Sequence, residues 1–278
     1  MKKIVQKIFR RLGFEIHRLQ AASVPGCGQE RSSLEGSLDQ AKRAGVLPAT
    51  VIDVGAAFGS FSRSCHEVFP QARCLLIEPL VEYVPSLTKV VDQIPGASYE
   101  IAVAAAEERT ASLNVHQDLV GSSLYRESEV GTGVNGVPRE VRAVTLDRLV
   151  VERQVSPPFL LKVDVQGAEL DVLDGGQETL NGSELVILEV SLFQFFENGP
   201  LLHDVVAYMH SKGFVAYDVI GLQYRPLDRA LSQIDIVFVK ENGPLRRHHF
   251  YATPKQREEQ NRQFRAHFTS LLSPGRPQ

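Results

Sequence analysis

The chain has no apolar run of transmembrane length and no stretch with the pattern of a secretory leader, so a cytoplasmic protein is expected. Cysteine is scarce. Cys27, Cys65 and Cys74 are odd in number, lack metal-site spacing, and read as reduced and structural. Among the histidines, His203, His248 and His249 show no ligand spacing either. No charge of one sign dominates: a net charge of −3 argues against general nucleic-acid binding. What the 278 residues do contain is 43% hydrophobic side chains, enough for the core of one large α/β domain with extensions.

The organising stretch runs from Val51 to Glu78. It reads Val-Ile-Asp-Val-Gly-Ala-Ala-Phe-Gly-Ser-Phe, then a helical run, then Cys-Leu-Leu-Ile-Glu-Pro. A short apolar run ending in Gly55 predicts a buried parallel strand, a tight turn, and a helix whose free N–H groups face a ligand. A second apolar run, Arg73 to Ile77, ends in Glu78, where a carboxylate can accept hydrogen bonds from both ribose hydroxyls of a nucleoside. Ala57 stands where a dinucleotide site would want its second glycine, so no pyrophosphate pattern is present. The glycine-poorer loop preceded by Asp53 suits S-adenosylmethionine better than a dinucleotide.

The second informative stretch is Phe159-Leu-Leu-Lys-Val-Asp-Val-Gln-Gly. Lys162 and Asp164 alternate with apolar residues and should share one face of a central strand. Such strands are normally apolar on both faces, so two charges at the carboxyl end need a partner or a use. Glu169 follows in the first turn of a helix, and Glu189 closes the apolar run Leu185 to Val190. Further strands are expected at 99–103, 111–116, 141–146, 214–220 and 235–239, the last two as a terminal antiparallel ribbon. Helices are expected at 34–44, 80–91, 147–153, 168–173, 201–212 and 256–268. The glycine-rich loop at 130–137 is long enough to suggest a role of its own. Residues 1–20 carry six basic residues against Glu15 beside a helical apolar stripe, so peripheral contact with an anionic membrane is one expectation and packing on the domain is the other.

With these residues in view, the chain resembles the FkbM family of S-adenosylmethionine-dependent methyltransferases over 51–240. The likeness is carried by Asp53-Val-Gly-Ala-Ala-Phe-Gly-Ser-Phe, Glu78-Pro79, Leu161-Lys-Val-Asp-Val-Gln-Gly-Ala-Glu with Val172-Leu-Asp-Gly, and Leu188-Glu-Val-Ser. The resemblance implies a Rossmann-like, seven-stranded methyltransferase fold, mostly parallel with a terminal antiparallel strand. It also implies O-methylation of a sugar, glycan, glycolipid or related natural product. The division expected is a lead-in over 1–50, a methyltransferase domain over 51–240 and a polar extension over 241–278. Two departures stand out: Ala57 replaces the usual Asn, and Ala104-Ala105-Ala106 replace a small acidic turn.

The expected cofactor residues are Asp53, Gly55, Ala56, Phe58, Gly59, Glu78, Pro79 and Ala102. A sugar hydroxyl is a poor nucleophile, so a positioned base is expected among Asp164, Glu189 and Glu169, with Lys162 holding a carboxylate ionised or orienting the acceptor. The same carboxylates are the hard oxygen donors a divalent cation prefers, so a cation is a further option. No nucleic-acid partner is expected. Two rival readings stand beside this one, an NAD-dependent sugar-modifying enzyme and a noncatalytic methyltransferase-like partner protein.

Overall fold

The computed structural model describes residues 30–129 and 133–272, without the side chains of 269–272. The expected basic helix at 1–20, Cys27, most of the lead-in linker and part of the glycine-rich loop lie outside the described residues. The first described helix, α1 (Leu34–Arg43), starts where Ser33 accepts a hydrogen bond from the Gly36 N–H, 3.0 Å away. Strand β1 (Thr50–Val54) follows, every residue buried, then α2 (Ser60–Val68) and β2 (Arg73–Ile77). The helix expected over 80–91 divides into a 3-10 turn (Val81–Tyr83) and α3 (Val84–Gln93). Pro85 sits at the start of α3, where a missing N–H costs nothing.

The strand expected at 99–103 also divides, and this is a correction. Ser98–Glu100 is β3, paired with β2, whereas Val103–Ala104 is β4, paired with β6 (Val137–Val144) in a second sheet completed by β5 (Arg109–Val115). The reason lies in the partner strand. Glu78 N–H bonds Glu100 O at 3.0 Å, but the next donor due on that side, Leu80 N–H, is taken by Glu78 Oε1 at 2.9 Å, so the ladder ends there. The chain therefore leaves the main sheet, and Ala102 turns to the wall of a cavity.

Helix α4 (Leu146–Glu152) leads to β7 (Phe159–Val163), then to two short helices, α5 (Glu169–Asp174) and α6 (Gln177–Asn181), and to β8 (Ser183–Ser191). Helix α7 (Leu202–Ser211) precedes the long hairpin of β9 (Phe214–Tyr224) and β10 (Leu231–Lys240), and α8 (Pro254–Leu272) closes the described chain with an exposed surface. The main sheet has the order β3-β2-β1-β7-β8-β10-β9. Its first five strands run parallel, and β10 lies antiparallel to both β8 and β9. This is the mostly parallel, seven-stranded Rossmann-like fold with a terminal antiparallel strand.

Two apolar cores cover the faces of the sheet. Val51, Leu76, Ile187 and Val237 pack with Leu38, Cys65, Leu87 and Val90 of α1, α2 and α3. Ile52, Leu161, Val163 and Leu188 pack with Leu149, Val172, Leu173 and Met209 of α4, α5 and α7. Cross-strand register puts Asp53 beside Lys162, Lys162 beside Ile187, and Glu189 beside Asp235. Paired residues share a face, so all four charged residues lie on the first of these faces, at its carboxyl end.

Candidate functional site

A cavity of about 390 Å³ opens beyond the carboxyl ends of β1, β2, β7 and β8, a size within the usual range for small-molecule sites. Its wall includes Gly55, Glu78, Pro79, Tyr83, Ala102, Asp118, Asp164, Gln166, Glu189, Gln223 and Gln233. The position is the one expected for a ligand in an open α/β sheet.

The first side of the cavity is the turn after β1. Gly55 has φ +78, and a Cβ there would sit 1.8 Å from the Asp164 carbonyl oxygen, so the β1 and β7 loops touch backbone to backbone. Ala57 is also left-handed, with φ 44, a conformation that costs a Cβ-bearing residue roughly 1–2 kcal/mol. Its N–H is held by Glu78 Oε2 at 2.9 Å, while Glu78 Oε1 accepts from Leu80 N–H at 2.9 Å. Glu78 thus ties two turns together and still faces the cavity, with lone pairs left for a ligand. Burial pushes its carboxyl up to about 7, against the pull of the two backbone donors.

The second side is a charged cluster. Lys162 Nζ bonds Asp235 at 2.6 Å and Asp164 at 3.4 Å. Burial alone would lower the lysine's proton affinity. The Asp164 and Asp235 carboxylates outweigh burial and hold Lys162 charged. Glu189 is 6% exposed and receives three amide N–H groups, from Gln166 at 2.9 Å, Gln223 at 2.8 Å and Gln233 at 2.8 Å. Gln166 also bonds Asp164 at 3.1 Å, which couples the two acids. Burial first, and then the Asp164 charge, raise the proton affinity of Glu189 well above the carboxylate norm. Three acids face one ammonium here, and the raised proton affinity of Glu189 suits it to take up a proton from a neighbouring group.

The expected residues divide by geometry. Gly55, Glu78, Pro79, Ala102, Asp164 and Glu189 reach the cavity wall; Asp53, Ala56, Phe58, Gly59, Lys162 and Glu169 do not. Asp53 is buried under the turn, where it accepts from Ser62 Oγ at 2.7 Å and fixes α2 to β1. Gly59 is the left-handed cap of α2, and a Cβ there would strike Val90 of α3. Lys162 stands behind the acids it holds. Glu169 is turned onto its own loop, accepting from Gly167 N–H at 3.0 Å and Val165 N–H at 3.3 Å, so it shapes the β7 loop and leaves the wall to its neighbours. Asp235, Gln166, Gln223 and Gln233 complete the cluster and were missed at the level of sequence. Among the described residues no group of three or more His, Cys, Asp or Glu side chains is arranged to hold a metal ion.

The buried acids set a pH dependence whose sign is opposite to that of a salt-bridged carboxylate. Burial holds Asp53 up to about 6, and Glu78 and Glu169 up to about 7. With folded values above the unfolded ones, the folded chain binds more protons between about pH 4 and 7, so stability falls as pH rises through that window. The ligand-free protein should melt at a higher temperature at about pH 5.5 than at about pH 7.5. Differential scanning calorimetry checks this, and Glu169→Gln, which keeps the acceptor oxygen, should flatten the slope. A melting temperature that rises steadily from pH 5.5 to 7.5 would contradict the assignment.

Residues 53–216, more than half of the chain, match the family described as Methyltransferase FkbM domain. The chain is 25% identical over 138 residues to the hexuronic acid methyltransferase AglP of Haloferax volcanii, a match covering 50% of this chain and 54% of that protein. It therefore spans about half the length of that relative. Among solved structures, the chain is similar to methyltransferase FkbM from Methylobacillus flagellatus KT, at 17% identity and a TM-score of 0.43, covering 70% of this chain and 46% of the other. It is also similar to precorrin-6y C5,15-methyltransferase from Geobacter metallireducens GS-15, at 11% identity and a TM-score of 0.40, covering 80% and 94%.

Proposed function

Because the chain belongs to the FkbM methyltransferase family, we propose that it transfers a methyl group from S-adenosylmethionine to a hydroxyl of a sugar acceptor, with uronic-acid glycans the first class to try. The observation that carries this is one cavity walled by two unlike acidic groups: Glu78 beyond β2, and Asp164 with Glu189 beyond β7 and β8. Two strand spacings, roughly 10 Å, separate the ends of β2 and β7.

The residues fit the cofactor. Glu78 is free to accept from ribose hydroxyls, Pro79, Ala102 and Val103 offer an apolar slot for a flat base beside it, and the Gly55 turn leaves the wall without a side chain. When bound, S-adenosylmethionine supplies an electrophilic methyl carbon on a cationic sulfur. The acids beyond β7 and β8 face that positive charge and take the proton of the acceptor hydroxyl. Glu189 is the proton acceptor of this reading, since its raised proton affinity makes it the stronger base. Asp164 keeps that affinity high, Lys162 pairs with Asp164 and Asp235, and the three glutamines aim the Glu189 carboxylate.

Methyl-labelled S-adenosylmethionine should label a uronic-acid glycan in a form that survives mild base, as an ether does and a methyl ester does not. Absence of transfer to any sugar, or label released by base, would count against hydroxyl methylation. Glu78→Ala should weaken S-adenosylhomocysteine binding by roughly 2–4 kcal/mol, or about 30- to 1000-fold, through two lost charge-assisted bonds. Unchanged affinity in a titration would remove Glu78 from the cofactor site.

A further inference from the structure

Ser123 is 1% exposed and uses its hydroxyl both to donate and to accept. The O–H donates to Gln166 O at 2.6 Å, and the oxygen accepts from Tyr125 N–H at 2.9 Å. Two backbone bonds, at 2.9 and 3.1 Å, tie Ser123 to Asn114 of β5. The residues after it run as a strap toward the main sheet. Tyr125 donates its phenol to Asp171 of α5 at 3.2 Å, and Ser128 N–H bonds Phe195 O, beyond β8, at 2.7 Å. The Ser123 bond lands on a strained turn, where Gln166 has φ +55 and Gly167 φ +98. The peptide between these two residues is held on both edges. Its carbonyl accepts from Ser123, and its N–H donates to Glu169 Oε1 at 3.0 Å. The strain of a left-handed residue with a Cβ is of the same order as one hydrogen bond, so loss of the Ser123 hold lets the turn relax.

We propose that Ser123 is a positioning residue for methyl transfer: by holding the Gln166–Gly167 peptide it aims the Gln166 amide at Glu189. The proposal rests on the reading of Glu189 as proton acceptor given above. Gln166 Nε2 stands between the two acids, 2.9 Å from Glu189 and 3.1 Å from Asp164. A turn that relaxes at Gln166 carries that amide away from both. Ser123 itself touches neither acid through its hydroxyl, which is spent on Gln166 O and Tyr125 N–H. Its effect on the chemistry passes through Gln166.

The test is Ser123→Ala in the full chain, read first on Glu189. Carboxyl NMR of ligand-free protein carrying labelled glutamate gives the Glu189 titration midpoint, its signal assigned by its absence in Glu189→Gln. The charges around Glu189 are Lys162 and Asp164 at the end of β7, Asp235 of β10 and Glu169 of α5, and Ser123→Ala leaves them all in place. Losing a donor to the ionised form favours the protonated one, so the midpoint should rise by about 0.5–1 pH unit. Gln166→Ala should raise it by a similar amount, and Ser123→Ala added to Gln166→Ala should change nothing further. Ser123→Thr, which keeps the hydroxyl, should bring the midpoint back toward wild type. Methyl transfer by Ser123→Ala should slow by about 5- to 10-fold, the scale of one hydrogen bond, with affinity for S-adenosylhomocysteine unchanged. Should Ser123→Ala not fold, Ser123→Cys fills the site with a weak donor and carries the same test. A wild-type midpoint in the Ser123 variant, or effects of Ser123→Ala and Gln166→Ala that simply add, would overturn the proposal. Slow transfer by Glu189→Gln beside wild-type transfer by Ser123→Ala overturns the positioning role alone. Wild-type transfer by Glu189→Gln sinks the proton-acceptor reading, and the positioning role with it.

Discussion

Glu189→Gln should lower methyl transfer by about 10²-fold or more while the protein stays folded and binds S-adenosylhomocysteine normally, the scale expected when a general base is lost. The substitution nearly preserves shape, and flipping one of the Gln166, Gln223 or Gln233 amides restores a donor–acceptor match around the new side chain. Proton affinity is what changes. Glu189 in the wild type is raised by burial and by Asp164, so the acid limb of the pH–rate profile should lie well above the ordinary carboxylate range. Asp164→Asn should shift that limb to lower pH by removing the neighbouring charge, and should cost rate as well. The alternative is a structural network in which Lys162 with Asp164, Asp235 and Glu189 merely closes the sheet edge. That alternative predicts the reverse pattern, a lower melting temperature with rate preserved. Normal transfer by both variants would make the cluster structural.

Gly55→Ala should destabilise the protein by about 3–5 kcal/mol, among the largest effects of a single added methyl. Two terms combine. The residue has φ +78, where a Cβ is strained, and that Cβ would lie 1.8 Å from the Asp164 carbonyl oxygen, well inside any permitted contact. Backbone atoms cannot step aside as a side chain end can, so β1 and β7 must part. Gly45 separates the terms. It has φ +96 with nothing within 4 Å of its Cβ position, so Gly45→Ala should carry strain alone, about 1 kcal/mol. Denaturant melts of the two variants measure the difference. Because the obstructing atom belongs to Asp164, whatever folded Gly55→Ala protein remains should also be slow in transfer. Equal stability of the two variants would contradict the close approach. The reason is internal to the chain: a side chain at this position first meets the chain's own backbone.

What could be read from the sequence follows from range. The strand-turn-helix from Val51 to Glu78 was legible because apolar runs, glycines and the terminal acid are all local signals. The shared face of Lys162 and Asp164 followed from strand alternation, and the two side chains do meet. Asp235 was not legible, since it comes from a hairpin 73 residues further on, and only the β8–β10 register sets it beside Glu189. Gln223 and Gln233 reach Glu189 from the same hairpin. The fate of Glu169 and Asp53 was hidden for another reason. A buried acid among strand ends can face a ligand or tie down its own turn, and sequence does not say which way the side chain rotates. Ala57 marks the reverse case, a left-handed position whose usual Asn tolerates that conformation better than alanine does.

The most direct measurement is the electron density of the full chain crystallised with S-adenosylhomocysteine. The account predicts density in the cavity beyond β1, β2, β7 and β8, with the ribose against Glu78, the base beside Pro79 and Ala102, and the sulfur on the side of Asp164 and Glu189. Density in any other part of the molecule, or a ligand reversed in the cavity with its ribose at Asp164 and its sulfur at Glu78, would contradict it.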